Sequence, residues 1–492
     1  MNTKHDVMRG AVRTHRLAVA IAGALLLAGC MTVGPDYQAP LPEPVTLRAA
    51  ADPAFSRASP VAAWWAEFDD ATLEQLIRRA LADNLDLYIA MTRVHEARAL
   101  FTEQRLDQLP HVVAAGSYDR RRQPEILAGG QRMSSESALL GLDAAWELDL
   151  FGRQRRATEA ARAALDAEWE NHADAQVIVA AEVAGTYFQL RGTQKRIALA
   201  RQTLENLQQT QRLTEERWML GAGSELDVQS SRARMKAIEA DIPLLEASEV
   251  QAKHRLAVLL GQRPGALDAL LQPREVSPYV RALPLGDPSG LLRLRPDVRA
   301  AERRLAAATA NVGVATADLF PRIRLNGFVG FLSLDGTGLL NSGNKAWSVT
   351  PTLNWAAFDL GSVKARLRAT RAQADGVAAE YEKTVLLALE ETENALVRYA
   401  RQQQRLLLTA EQAMAARRAE RLAQARYQDG AEDFLALLDA QRNLLAAEDS
   451  LALAEAAVNI DVVGVYKALG GWGQSDPSTD AAAAAREVVT VR

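Results

Sequence analysis

The sequence predicts a mainly α-helical chain that also carries membrane-type β-strands, built from one structural unit used twice. Three observations carry this. Long stretches are crowded with Ala, Leu, Gln, Glu and Arg and hold almost no Pro; of 492 residues 48% are apolar but only 5% aromatic, which suits long helices in lateral contact. Two shorter regions alternate apolar and polar residues with period two. The order of landmarks in the first half then returns in the second.

The N-terminus comes first. Lys4, Arg9, Arg13 and Arg16 precede an apolar run from Leu17 to Ala28. That run matches a signal-peptide core and is too short to span a bilayer comfortably, so residues 1–29 are expected to be a removed lipoprotein signal peptide. The run ends in Leu27-Ala28-Gly29-Cys30, which resembles the bacterial lipobox and marks Cys30, the single cysteine, for acylation. Each buried methylene adds about 0.8 kcal/mol, so several acyl chains anchor stably where one does not. Met31 follows, not Asp, which by resemblance to enterobacterial sorting rules favours the outer membrane. No other stretch approaches the roughly 18 apolar residues of a transmembrane helix.

Residues 30–62 read as a lipidated, Pro-rich tether with Pro35, Pro40, Pro42, Pro44, Pro53 and Pro60. The first repeat spans 63–261, an equatorial connector rich in Pro and Gly spans 262–290, the second repeat spans 291–470, and 471–492 is a C-terminal tail. The repeats match at a shift of about 209 to 211 residues. Leu109-Pro110 returns as Phe320-Pro321, Trp146 as Trp355, Arg217 to Ala222 as Arg426 to Ala431, and Leu260-Gly261 as Leu469-Gly470.

Within the first repeat helices are expected at roughly 71–109, 153–220 and 225–260, the second on the order of 100 Å long at 1.5 Å per residue. Leu190, Ile197 and Leu204 recur every seven, with Thr193, Ala200 and Leu207 between them; Val385, Leu389, Leu396, Tyr399 and Leu406 follow a less regular course. Thr392 and Gln403 interrupt the seam, which suits helices packed around a hollow better than a tight two-stranded coil.

The hairpins are placed at 111–150 and 322–358. From Leu140 to Leu150 the even positions are apolar and the odd ones small or acidic, and Trp347 to Trp355 alternate likewise. Partner strands fall near 111–119 and 322–333, and polar loops at about 120–138 and 335–345 suit the outside of a membrane. Pro351 predicts a bulge. If the apolar face meets lipid, Lys is excluded at Leu142 or Leu148 and tolerated at Asp143 or Glu147. Four strands with open edges cannot stand in lipid, so several chains must close one barrel: two would supply eight strands, three would supply twelve.

A formal charge of −4 without a sustained basic block makes nucleic acid a poor partner. None of the six His stands at metal-ligand spacing, and Gly336, Gly338 and Gly343 do not form a phosphate loop, so no enzyme, metal or cofactor is expected beyond the covalent lipid on Cys30.

Several ordered fragments resemble the TolC-type outer-membrane efflux proteins, in their lipidated OprM/NodT branch: Gly34-Pro35-Asp36-Tyr37, Trp64-Trp65 before Phe68-Asp69-Asp70, Phe320-Pro321, Trp355 with Phe358-Asp359, and Tyr427-Gln428-Asp429-Gly430 leading into Leu437 to Arg442. The resemblance covers nearly the whole mature chain. It implies a homotrimer with a twelve-stranded β-barrel in the outer membrane continued by a long α-helical barrel. It also implies a periplasmic adaptor protein and an inner-membrane resistance-nodulation-division transporter as partners. The expected function is an exit duct that conducts passively. The alternative is a periplasmic coiled-coil adaptor or structural lipoprotein without a pore.

The gate is expected at the helix-turn tips, Gly221 and Gly430. Asp227 and Asp439 match acidic positions at the family's closed periplasmic end, and Tyr427 matches a Tyr that hydrogen-bonds to the first of them. Leu435 and Asp439, four apart, share a helical face; in a trimer turned to the lumen they would stack a leucine ring on a carboxylate ring. Glu432 stands where the prototype has an Arg, and Arg442 can supply that charge instead. The competing reading makes Asp227 and Asp439 ordinary carboxylates near helix N-termini.

Overall fold

The structure is a computed structural model that describes residues 32–40, 47–58, 63–123, 133–286 and 294–471. The signal peptide, Cys30 and all but the first residue of the C-terminal tail lie outside these. The first repeat contributes α1 (Ala71–Asp83), α2 (Leu85–Leu106), β1 (His111–Gln123), β2 (Met133–Leu148), α3 (Arg153–Met219) and α4 (Glu225–Leu259). The second contributes α5 (Pro296–Ala317), β3 (Arg322–Ser333), β4 (Lys345–Asn354), α6 (Leu360–Gln428) and α7 (Phe434–Ala468). The duplication is visible in the elements themselves: α3 and α6 have 67 and 69 residues, and α4 and α7 have 35 each.

The chain divides into two compact units. The first holds residues 94–168 and 301–381 with the N-terminal strap, and therefore the whole four-stranded sheet. Its four antiparallel strands run β1-β2-β3-β4, leaving β1 and β4 as edges. Directly paired residues share a face. The registers place Leu142 beside Ala114 and Val329, and Val329 beside Trp347; one residue along, Asp143 lies beside Val113 and Phe328, and Phe328 beside Ser348. One face is thus apolar across all four strands, while the other mixes polar residues with a few apolar ones. The apolar face is exposed in the single chain, with Leu142 at 48% and Trp347 at 78%.

The same tie closes the base of both hairpins. Trp146 donates its indole N–H to the Gln108 carbonyl, and Trp355 donates to the Leu319 carbonyl, each at 3.0 Å. Each indole meets the carbonyl of a residue just beyond the preceding helix, so the helix–strand corner is fixed twice by one device. In the strap, Val33 N–H donates to the Phe151 carbonyl, Arg156 pairs with Asp36, and Tyr37 donates to Glu302 at 2.8 Å.

The second unit holds 42–93, 169–300 and 382–492. Leu190, Ile197, Ala200 and Leu207 of the first seam are buried, as are Leu396, Tyr399 and Leu406 of the second. The duplication is preserved in role where it is lost in sequence. Asn84 donates to the carbonyl of Leu259 at the end of α4, and Arg295 donates to the carbonyl of Ala468 at the end of α7. An amide does this neutrally. The guanidinium, being buried, needs countercharge, which Asp297 and Glu391 supply at 2.8 Å each. Beside this cluster burial, reinforced by Asp297 and opposed by Arg295 and Lys467, pushes the Asp174 carboxyl up to about 6.

Several expectations need correction. The helix expected over 71–109 is two helices, because Asn84 adopts an extended ψ of 131° and its side chain accepts from the N–H groups of Asp86 and Leu87, opening α2. β1 reaches Gln123 and β2 begins at Met133, so the loop set at 120–138 is shorter; complementary charge extends the ladder past the apolar band, Arg120 pairing with Glu136 at 3.0 Å. β2 ends at Leu148, not Leu150. Pro351 forms no bulge: the β3·β4 register runs unbroken from Arg322↔Asn354 to Phe331↔Lys345. In the single chain β4 is an edge strand, the place within a sheet where a proline is tolerated.

Thr392 and Gln403 are internally bonded sites. Thr392 donates to the Ala388 and Ala468 carbonyls, and Gln403 donates to the Tyr279 carbonyl and the Tyr399 hydroxyl. They therefore do not argue for a hollow. Glu147 is no tolerant position either, being held between Arg153 at 2.9 Å and Arg324 at 3.2 Å.

Candidate functional site

The two helix turns lie in the second unit and share one backbone design. Gly221 and Gly430 each stand at φ 72°, a left-handed conformation that costs glycine nothing and other residues strain. In each turn the following alanine closes the helix, Ala222 N–H donating to the Arg217 carbonyl at 2.7 Å and Ala431 N–H to the Arg426 carbonyl at 2.8 Å. Both next helices are capped by side chains. Ser224 accepts from Asp227 N–H at the head of α4, and Asp433 accepts from Ala436 N–H at the head of α7.

The two carboxylates singled out by sequence are therefore not equivalent. Asp227 completes a capping box, its Oδ2 accepting from the Ser224 N–H at 3.1 Å. This is the helix-terminus role of the competing reading. Asp439 lies further into its helix, beyond the first turn, with 56% of its side chain exposed. It accepts from Arg442 at 2.7 Å and from Asn443 at 3.0 Å, so Arg442 does stand as its countercharge. Leu435, one turn before it, is 52% exposed. Among the described residues no hydrogen bond or ion pair joins Asp227 to Asp439.

What ties the two turns together is Arg217, a residue that sequence reading treated only as part of the repeated tip. Its guanidinium lies 4.6 Å from the Tyr427 ring centroid and donates to the Tyr427 carbonyl at 3.1 Å. Tyr427 is buried with Phe434 and Leu437, and Leu213, Ala423 and Leu438 pack on this cluster. Burial pushes the Tyr427 phenol up, Arg217 opposing and Asp227 adding to the rise. No hydrogen bond between Tyr427 and Asp227 forms among the described residues; the Asp227 carboxylate is committed to its cap, and Tyr427 faces Arg217 instead. Glu432 pairs with Arg426 at 3.1 Å.

Behind the tips lies a polar layer that sequence reading missed. Thr210, Gln211, Thr214 and Ser231 are buried, and Gln441 donates to Thr210 at 3.2 Å. Two apolar clusters flank it in the sequence, one with Tyr427 and one with Leu207 and Ile238. The signal was available as a run of Gln and Thr at seam positions of α3. Among the described residues no group of His, Cys, Asp and Glu could hold a metal, and no helix is long and apolar enough to cross a membrane.

The family model described as outer membrane efflux protein matches twice, over residues 76–262 and 288–471, and so coincides with the two repeats. The antibiotic efflux pump outer membrane protein ArpC of Pseudomonas putida is 35% identical over 465 residues, covering 92% of this chain and 95% of ArpC. The structure of the outer-membrane channel OprN superposes with a TM-score of 0.87 at 47% identity, covering 90% of this chain and all of that one. The open state of the Neisseria gonorrhoeae MtrE outer membrane channel gives 0.80 at 31% identity, covering 90% and 99%. The chain therefore belongs to the outer membrane efflux protein family, as a TolC-like outer-membrane channel component of an efflux system.

Proposed function

We infer that three copies of this chain, anchored by lipid on Cys30, close one twelve-stranded barrel in the outer membrane and continue it as a helical barrel. The duct takes substrates passively from a periplasmic adaptor and an inner-membrane resistance-nodulation-division transporter. The observation that carries this reading is the four-stranded sheet, apolar on one face, with both edges open. In lipid each open edge costs several kcal/mol per unpaired group, and only closure with further copies removes them. From Asn354 to Lys345 the strand runs ten residues, which at about 3.3 Å each and about 40° of tilt gives a band of about 25 Å, the height of a membrane barrel. An adaptor without a pore has no use for such a face.

The gate in this reading is carried by Leu435, Asp439 and Arg442 on the exposed face of α7. Gly221 and Gly430 form the tips, Asp227 closes the capping box of α4, and Arg217 clasps the two turns through Tyr427. The existence of an open form of the MtrE channel supports an aperture that changes state. Single-channel conductance in planar bilayers tests it. Asp439→Ala and Leu435→Ala should give larger or longer openings than wild type, and Asp439→Ala weaker block by divalent cations. Unchanged conductance and unchanged block in both variants would remove these residues from the gate.

A further inference from the structure

Among the described residues the apolar face of the sheet ends in an excess of positive charge. On β1 the positions that carry Val112, Ala114 and Tyr118 continue into Arg120 and Arg122, and on β4 the same face runs from Leu353 through Trp347 to Lys345. All three cations are exposed. Arg120 shares Glu136 with the Tyr118 hydroxyl, at 3.0 and 3.1 Å. Arg122 and Lys345 have no acidic partner among the described residues. Arg121, between the two arginines, points to the opposite face and is matched bidentately by Asp119 at 2.8 and 2.7 Å. The opposite face is thus balanced at this level, and the apolar face carries three cations against one carboxylate.

These residues stand at the hairpin end of the sheet, away from the helices. On the channel reading, on which this inference rests, that end reaches the outer leaflet. Closure sets β4 of one copy antiparallel to β1 of the next. Matching the apolar faces puts Lys345 on the same face and at the same end as Arg120 and Arg122 of its neighbour. The cations therefore gather at each seam, one step along their strands beyond Tyr118 and Trp347. An apolar surface capped by Arg forks and a Lys suits a lipid whose acyl chains lie on the band and whose phosphates meet the cations. The outer leaflet of the outer membrane is built of such a lipid.

We propose that each seam between two copies binds the phosphorylated glucosamine headgroup of lipid A through Arg120 and Arg122 of one copy and Lys345 of the next.

The test uses the purified full-length assembly in detergent, titrated with bisphosphoryl lipid A and read by native mass spectrometry. Parallel titrations use dephosphorylated lipid A and phosphatidylglycerol. Wild type should retain up to three bisphosphoryl lipid A molecules per assembly. Arg122→Glu with Lys345→Glu should weaken retention at least tenfold, and Arg121→Glu, on the opposite face, should leave it unchanged. Equal retention by wild type and the double variant would overturn the proposal. So would equal retention of the dephosphorylated lipid, or of phosphatidylglycerol, which would assign the surface to anionic lipid in general. If the Glu variants do not assemble, Arg122→Gln with Lys345→Gln must still lower retention, and no change would refute the site. Conductance recorded on the same samples separates the two readings: conducting assemblies without lipid A preference sink only this proposal, whereas wild type that neither assembles nor conducts sinks the channel reading.

Discussion

Leu142→Lys places one charge on the face that is to meet lipid. Leu142 lies four residues from Trp146, at the base of the band, and four from Ala138, which pairs with Tyr118 at its top. Four residues of strand are about 13 Å, or about 10 Å of depth at about 40° of tilt, so Leu142 stands at the membrane midplane. A lysine there costs about 2–4 kcal/mol, and about three times that in an assembly of three. Per copy this lowers the folding equilibrium constant roughly 30- to 700-fold at about 1.4 kcal/mol per decade. Asp143→Lys, one residue along, alters only the opposite face and is expected to assemble normally. The assay is urea unfolding in lipid vesicles together with recovery of heat-resistant oligomers for wild type and both variants. Equal stability of Leu142→Lys and Asp143→Lys would refute the facing of the sheet.

Other outcomes follow from the packing. Cys30→Ser should abolish acylation while the barrel strands still hold some protein in the membrane; labelled fatty acid incorporated equally into variant and wild type would contradict the lipidation site. Arg217→Ala removes a ring contact and a charge-assisted hydrogen bond between the turns, about 1–3 kcal/mol together, and should lengthen channel openings; unaltered gating would dissociate the clasp from the aperture. Glu147→Lys should destabilise the sheet, because it sets three cations together where Arg153 and Arg324 now share one carboxylate; wild-type unfolding would contradict that network. Asp174 has a folded pKa raised from 3.8 to about 6, so the stability it contributes is full below about pH 4 and lost as pH rises through about 6. Wild type should lose on the order of 1–3 kcal/mol across that window relative to Asp174→Asn, and parallel pH profiles would contradict the assignment.

What was legible in the sequence is what repeats locally. The alternation around Leu142 and Trp146 exposes a two-faced strand because each face has one environment, and the spacing of Leu190, Ile197 and Leu204 exposes a seam for the same reason. The tip glycines were legible through their duplicated surroundings. Features made by side chains meeting from distant positions were not. Arg295 does for α7 what Asn84 does for α4, and no residue similarity announces a shared role when an amide and a guanidinium perform it. Glu147 looked like any polar position in an alternating strand, since one of its partners, Arg324, lies 177 residues away. The capping role of Asp227 was legible as well, because Ser224-x-x-Asp227 has the spacing of a capping box. The break at Asn84 was hidden because both flanking segments favour helix, and only the capping amide separates them.

On the channel reading the open edges of β1 and β4 are closed by two further copies. Native mass spectrometry of the protein extracted from outer membranes, released from detergent without heating, counts the chains directly. The expected mass is that of three chains, each bearing its N-terminal lipid. Predominance of one or two chains under conditions that preserve conductance would contradict it.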